Sequence, residues 1–382
     1  MRSLSKRRGT KEVIGSLIEG EVAGKVKAAF LTFAGERLGY GTGHLMETLL
    51  IAQEWRSRSP VDIRLLINNF PPCRDLAEEA KFSYIVYADD SYNRDIFQRI
   101  PQLIGAIRPH VIIVNLPTIF QKEIEKLAKE LTPLIVVLDN DENQFFKVAA
   151  LINHNINQDA HFYDGVKDVP CYIGSDYVPL CRKKLENAKL RQGSRFNAED
   201  IVVTFGGTNP NNLTLKVLQA LHAIDPVLRV SVVLGRGTPA DICDKIRHWM
   251  RESGNCWNFY HGLSHEDFLE LLASSRCAVS APGNTLYELC YLGIPTLAIA
   301  ENEATLRVAN AFASRGWCRS IGLGTKLPQG ELIMALQEFI DRDDPINSRR
   351  TCSLDGRGVG RIIDVILNVI AERHGIATIA RQ

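Results

Sequence analysis

The stretch Val279–Glu303, VSAPGNTLYELCYLGIPTLAIAENE, decides the fold. A short apolar run, Cys277-Ala278-Val279-Ser280, predicts a buried strand. Ala281-Pro282-Gly283-Asn284-Thr285 reads as a turn, and a helix is expected from about Thr285 to Leu292. Gly293 stands where a left-handed C-terminal cap belongs, and Ile294-Pro295 restarts an extended strand through Ile299. That is one β-turn-α-β unit. A Gly-rich turn feeding a helix N-terminus suits an anion, because N–H groups point outward and the dipole favours phosphate. Glu288 lies three residues after Thr285. Two readings stand open for it. Thr285-x-x-Glu288 is a capping box, or the carboxylate accepts hydrogen bonds from a ribose diol.

Working outward, 382 residues is a two-domain length, and an apolar content of 45% is ample for two cores. The formal net charge of +1 makes no bulk electrostatic case for nucleic acid or an anionic membrane. Nine cysteines are scattered without C-x-x-C spacing, several inside apolar runs such as Cys277 and Cys290. They read as buried thiols of a reducing compartment. The start is basic (Arg2, Lys6, Arg7, Arg8) but has no long apolar segment, so a secretory signal is not expected. No apolar run reaches transmembrane length, and a soluble cytoplasmic protein is the expectation.

The first half repeats one pattern. Ala28–Phe33 reads as a buried strand running into the glycines of Ala34–His44. A helix then carries Leu45, Leu49, Ala52 and Trp55 near one face. The glycines miss the G-x-G-x-x-G spacing, yet they allow close backbone approach and set His44 at a helix start. That position disfavours imidazolium, which suits a general base; a packing or capping histidine is the equal alternative. Strands are expected at Ile63–Ile67, Tyr84–Tyr87, Val111–Val114 and Leu134–Leu138. Helices are expected at Arg74–Lys81, Ile96–Ile107 and Phe120–Leu131. Strands alternating with helices at this spacing imply a parallel sheet with ligands at its carboxyl ends. Asp139 and Asp141 suggest a metal pair but lack a third ligand, and read as turn or cap residues. His154 and His161 read as surface or loop residues. A turn around Gly174-Ser175-Asp176-Tyr177 leads to the basic helix Arg182–Lys189. Residues 191–198 are polar and aperiodic, as a linker is.

The second half restarts the pattern. Strand Asp200–Phe205 feeds the Gly-rich turn Gly206–Asn212 and helix Leu213–Ala223, a second phosphate-type loop. Strand Val230–Leu234 comes next. Ser264-x-x-Asp267 caps a helix through Ala273, and further helices are expected at Asn310–Arg315, Ile333–Ile340 and Ile362–Ala371. Two doubly wound α/β domains facing across a cleft result. The expected division is an extension over 1–26, a first domain over 27–190, the linker, a second domain over 199–354 and a C-terminal helix within 355–382.

The chain resembles the GT-B nucleotide-sugar enzymes. Within them it is most similar to the UDP-sugar hydrolases of pseudaminic acid biosynthesis and the related spore-coat polysaccharide proteins. The resemblance rests on Gly41-Thr42-Gly43-His44, Gly174-Ser175-Asp176-Tyr177 with Arg182, Phe205-Gly206-Gly207-Thr208 with Asn212, Gly283-Asn284-Thr285 with Glu288, Gly293-Ile294-Pro295, Asn302 and Asp355-Gly356. These occur in family order from Lys27 to about Ala371. It implies that Gly206, Gly207, Thr208, Gly283, Asn284 and Thr285 hold the diphosphate and Glu288 the ribose. The sugar would lie among Gly41, Gly43, Asn212, Asn302, Glu303 and Tyr177. His44 would activate water at the anomeric carbon. No cofactor or metal is implied, because amides and helix dipoles hold the leaving diphosphate.

The departures cluster on the sugar side. The family often has Arg three residues after the histidine, where this chain has Glu47. An Asp-to-Tyr segment near the sugar is Asn115-Leu116-Pro117 here, the usual late Gln is Glu303, and a glycine before the Gly-x-Thr turn is Pro282. Hydrolysis of a UDP-sugar therefore stands beside transfer of its sugar to an acceptor sugar or alcohol, and beside a sugar-nucleotide sensor without turnover.

Overall fold

A computed structural model describes residues 25–35, 41–88, 94–117, 120–131, 134–138, 148–158, 163, 169–193, 196, 200–208, 211–341 and 352–373. The expectations for residues 1–24, Asp139, Asp141 and His161, and half of the proposed linker, fall outside them. The first half forms a parallel sheet of β1 (Val26–Thr32), β2 (Val61–Asn68), β3 (Ser83–Ala88), β4 (Val111–Asn115), β5 (Leu134–Leu138), β6 (Ala150–Asn153) and β7 (Cys171–Ile173). Its strand order is β3-β2-β1-β4-β5-β6-β7. The second half forms another from β8 (Ile201–Thr204), β9 (Val230–Leu234), β10 (Asn258–His261), β11 (Cys277–Ser280), β12 (Thr296–Ala300) and β13 (Arg319–Leu323), in the order β10-β9-β8-β11-β12-β13. Every neighbouring pair in both sheets is parallel.

The first sheet reverses its winding between β1 and β4, the second between β8 and β11. Such switch points open a crevice at the carboxyl ends of the strands, and ligands of α/β proteins bind there. Both sheets are covered on two faces, which is why β4, β9 and β12 are buried throughout and mostly apolar. On the first sheet, Trp55 of α1 (Gly43–Arg58) packs edge-on against Phe30 at 6.3 Å.

Helix α2 (Pro71–Glu79), α3 (Ile100–Ile107), α4 (Gln121–Glu130) and α5 (Arg182–Leu190) complete the first half in sequence. In space α5 packs on the second half. Its Leu185 and Ala188 are buried with Leu269 and Ala273 of α8 (His265–Ser274), which comes after α6 (Leu213–Ile224) and α7 (Ala240–Glu252). The second half continues through α9 (Asn284–Leu292), α10 (Glu303–Ser314) and α11 (Gln329–Asp341). The last helix, α12 (Gly358–Arg373), crosses back. Val359, Ile362, Ile363, Ile366 and Val369 join the core of the first sheet with Leu45 and Trp55. Each such buried aliphatic side chain contributes about 1.5–3 kcal/mol.

Gly358 shows how closely that helix starts. A Cβ there would lie 1.7 Å from the Val178 carbonyl oxygen. Asp355 grips Arg361 with both oxygens, at 2.8 and 2.6 Å. The Asp355–Arg361 glycines therefore serve packing. Helix α7 and strands β10 and β13 have no counterpart among the expected elements, and α10 begins seven residues before the helix expected at Asn310. Strands β10 and β13 are edge strands with half-buried or exposed residues, so no apolar run marks them.

Candidate functional site

A cavity of about 600 Å³ lies between the carboxyl ends of the two sheets. On the first wall, Asn68 at the end of β2 holds Ala34 by two hydrogen bonds, to its N–H at 3.1 Å and its carbonyl at 2.8 Å. The Gly35 N–H then donates to the Gly41 carbonyl at 3.1 Å, closing the loop neck. Gly41 has φ +49, which glycine adopts at little cost. That neck delivers Thr42 and Gly43 to the cavity and starts α1, with His44 in its first turn.

Asn115, the last residue of β4, ties this helix start together. Its Nδ2 lies 3.0 Å from the His44 carbonyl, 3.0 Å from Glu47 Oε2 and 3.3 Å from Thr48 Oγ1. Three acceptors around one nitrogen orient the amide, so Oδ1 faces His44 Nδ1, at 2.9 Å. An amide oxygen only accepts, hence His44 Nδ1 carries the proton and the ring's Nε2 keeps its lone pair when neutral. His44 itself is half-buried and sits between Gly43 and Glu47, which line the cavity, while its own side chain does not.

Glu47 is 3% exposed. Asn284 Nδ2 of the second half donates to its Oε1 at 2.8 Å, and His154 Nε2 stands 3.5 Å from the same oxygen. Burial pushes the Glu47 pKa up, but His154, His44 and the bonds from Asn284 and Asn115 outweigh it and hold the carboxyl below its ordinary value. Burial draws the His154 pKa down, against the pull of Glu47. Glu47 is thus held as a carboxylate by His154 and His44, with the amides of Asn284 and Asn115 donating to its two oxygens. His154 is not the surface or loop residue expected from sequence; the β6 strand end carries it inward, edge-on to Tyr287 at 6.2 Å.

The second wall is backbone. Gly206 (φ +70), Gly207 and Thr208 come after β8 and line the cavity, as do Gly283, Asn284, Thr285 and Glu288 around the start of α9. A Cβ on Gly207 would fall 2.3 Å from Thr42 Oγ1 and 2.9 Å from its nitrogen, so the two halves meet main chain to main chain. The N-cap of α9 is Gly283, with no side chain capping it. The capping-box reading of Thr285 and Glu288 therefore fails: Thr285 lies inside the helix. Glu288 turns instead to His265, whose Nε2 is 2.8 Å from its Oε1. The carboxylate makes that nitrogen the protonated one, and His265 Nδ1 is buried without a hydrogen-bond partner among the described residues.

Four expected sugar residues lie elsewhere. Asn302 caps α10, accepting from the Thr305 N–H at 2.9 Å, with Thr305 closing the box. Glu303 is exposed and pairs with Lys326 at 3.2 Å. Tyr177 packs edge-on against Tyr172 at 5.7 Å beside the first core. Asn212 takes the N-cap position of α6 in a left-handed conformation, outside the cavity lining. Gly41 and Gly43 do line it. Glu301 and Thr305, which the sequence did not single out, line it too. Among the described residues no group of three or more His, Cys, Asp or Glu is placed to hold a metal ion, and no helix is long and apolar enough to cross a membrane.

Two parallel sheets of this strand order, joined by a cleft at their switch points, define the GT-B class. Solved structures agree on the fold. MnaA of S. aureus, in a co-structure with UDP, superposes with a TM-score of 0.64 at 13% identity, covering 94% of this chain and 99% of that one. MurG of Acinetobacter baumannii superposes with a TM-score of 0.58 at 9% identity, covering 89% and 99%. No family model matches the sequence. An uncharacterized Methanocaldococcus jannaschii protein, MJ1062, is 25% identical over 73% of this chain and 56% of its own. The spore coat polysaccharide biosynthesis protein SpsG of Bacillus subtilis is 23% identical over 51% and 57%. The Helicobacter pylori pseudaminic acid cytidylyltransferase and UDP-2,4-diacetamido-2,4,6-trideoxy-beta-L-altropyranose hydrolase is 23% identical over 53% and 36%. The match thus spans little more than half, or less, of each relative's length. The chain has the GT-B fold, and its sequence is similar to those of SpsG and the pseudaminic acid protein.

Proposed function

We propose that the cleft binds a UDP-sugar and that the protein hydrolyses its sugar–diphosphate bond. The observation that carries this is the His44–Asn115 pair, which leaves a basic nitrogen on a histidine tied through Glu47 to Asn284 at the phosphate turn. Water attacks the anomeric carbon and gives its proton to His44 Nε2. The carbon–oxygen bond to the diphosphate breaks, and UDP leaves with the electron pair. The diphosphate rests on Gly206, Gly207, Thr208, Gly283, Asn284 and Thr285, where amides and the α9 dipole stabilise the charge that develops. Glu288 accepts from the ribose diol, steered by His265. Kinship with proteins named for sugar hydrolysis and for polysaccharide biosynthesis supports the substrate class.

A glycosyltransferase is the second reading. It is favoured by the cavity running past Glu47 along Met46, Leu49, Leu50 and Gln53 of α1 to Leu76 of α2, more room than one water needs. The same base would then deprotonate an acceptor alcohol. A panel of UDP-sugars decides, with UDP release followed with and without cell extract. Release in buffer alone supports hydrolysis. Release only with extract supports transfer, and tight binding without release defeats both.

A further inference from the structure

Helix α9 leaves the cleft after Glu288 and reaches Cys290, which is buried and lies outside the cavity lining. There it meets a segment from far along the chain, Cys352–Gly356, which leads into α12. Three contacts hold that segment in place. Leu354 is buried in the same apolar cluster as Cys290. A Cβ on Gly356 would fall 3.0 Å from Tyr291 Cε2 and 3.0 Å from Arg182 Cβ. The Arg182 N–H donates to the Gly356 carbonyl at 2.9 Å. Cys352 is half-buried at the edge of this cluster, and its sulfur accepts a hydrogen bond from the Cys290 thiol. Both cysteines are free. Lys189 of α5 stands 4.5 Å over the neighbouring Tyr291 ring and sets a positive charge near Cys352. The bond from Cys290, with Lys189, holds the Cys352 thiol below its ordinary range against the effect of burial. The same bond and burial push the Cys290 thiol up, so the deeper cysteine keeps its proton. Cys318, the third thiol of the cluster, donates to the Ala309 carbonyl at 3.7 Å, and among the described residues no three such groups gather to hold a metal ion.

We infer that Cys352 and Cys290 are a redox-active pair, a modification site at which a small-molecule disulfide is exchanged for a bond between α9 and the segment leading to α12. Half-buried Cys352 is the attacking thiol and buried Cys290 the resolving one. The Cys352 thiolate attacks one sulfur of the small disulfide. That S–S bond breaks, and one small thiolate leaves with the electron pair, so Cys352 becomes a mixed disulfide. Cys290 then gives up its proton to water, and its sulfur attacks the Cys352 sulfur and expels the second small thiolate. Two protein thiols are oxidised, and one disulfide is reduced to two thiols. Sulfurs already within a hydrogen bond of each other need only a small approach to reach bonding distance. The new bond fastens the helix that opens at Gly283 and carries Glu288 to the stretch through which the chain returns to the first sheet. The inference does not depend on which ligand the cleft holds.

The test uses the full reduced chain, incubated with oxidised glutathione and digested without reductant, the peptides then being identified by mass spectrometry. The native protein should give a peptide pair joined between Cys290 and Cys352, and dithiothreitol should separate it again. Cys352→Ser should lose the joined pair and leave Cys290 unmodified, because the buried thiol does not attack by itself. Cys290→Ala should stop at the first step, with glutathione retained on Cys352. Cys256→Ser, which removes an exposed thiol elsewhere, should form the pair as the native protein does. If the alanine variant at the buried position does not fold, the native peptide map and Cys352→Ser carry the decision. A bond from Cys290 to Cys318 overturns the pairing, as does glutathione that stays on Cys352 of the native protein. Modification confined to Cys256, with Cys290 and Cys352 both still reduced, overturns the site altogether.

Discussion

The two walls of the cleft are built at equivalent places and from opposite materials. Both lie at a sheet's switch point, after the first and fourth strands of the same winding. The first wall presents side chains that hold one another, half-buried His44 with buried Asn115, Glu47, Thr48 and His154. The second presents main chain at Gly206, Gly207 and Gly283, with Glu288 and Glu301 set among it. Amides suit a ligand whose charge is delocalised and always present. A histidine whose tautomer is imposed by a neighbour suits a proton that must move. The difference predicts that the first wall governs turnover and the second affinity.

The sharpest way to break that division is His44→Asn. Turnover should fall roughly 10²–10⁴-fold, while UDP affinity, measured by calorimetry, stays nearly intact. The acidic limb of the kcat/KM profile should vanish with it. Most of the native turnover surviving, or UDP binding lost outright, removes His44 from the chemistry.

Glu301 gives a test on the second wall that needs no ligand. Its folded pKa of about 7 stands above the ordinary 4.5. Between those values the unfolded chain has released a proton that the folded chain keeps, so stability falls as pH rises through that window. The loss amounts to up to about 3 kcal/mol. Denaturation in urea should show Glu301→Gln more stable than the native protein at pH 8, the gap closing by pH 4. A constant gap across that range contradicts the raised pKa.

Glu288→Ala sharpens the affinity side. A charge-assisted bond is worth about 1.5–3 kcal/mol, so UDP should weaken roughly 10- to 100-fold with a much smaller change in melting temperature. Because Glu288 also holds His265, a large thermal shift with unchanged UDP affinity assigns the pair to structure instead. Chelation with EDTA should leave UDP binding unaltered.

The smallest effect is expected for Glu47→Gln. Both carboxylate oxygens accept from amide groups, Oε1 from Asn284 and Oε2 from Asn115, and a glutamine must turn its own NH₂ toward one of them. Stability in urea should drop about 1–3 kcal/mol, and kcat should fall through misorientation of His44. An unchanged kcat limits the first wall's catalytic part to His44 and Asn115.

The fold was legible because buried parallel strands write themselves as apolar runs, and Val111–Val114 and Val230–Leu234 could be little else. Edge strands β10 and β13 were not, since exposure removes the run. Capping chemistry misled in both directions. Thr285-x-x-Glu288 matched the pattern of a cap it does not make, and Asn302 makes one where a sugar contact was expected. Local spacing is the same for either role, and only the position of the helix start separates them.

Chain order alone determined that there would be two wound halves, that glycine turns would come after β1, β8 and β11, and that His44 would open a helix. These depend on periodicity and backbone freedom, which are local. Only the tertiary structure decided that Asn115 would orient His44 across 71 residues, that Asn284 would reach Glu47 across 237, and that α12 would return to the first sheet. Hydrogen bonds and burial act on distance in space, and residues so far apart in sequence become neighbours only after both sheets have formed.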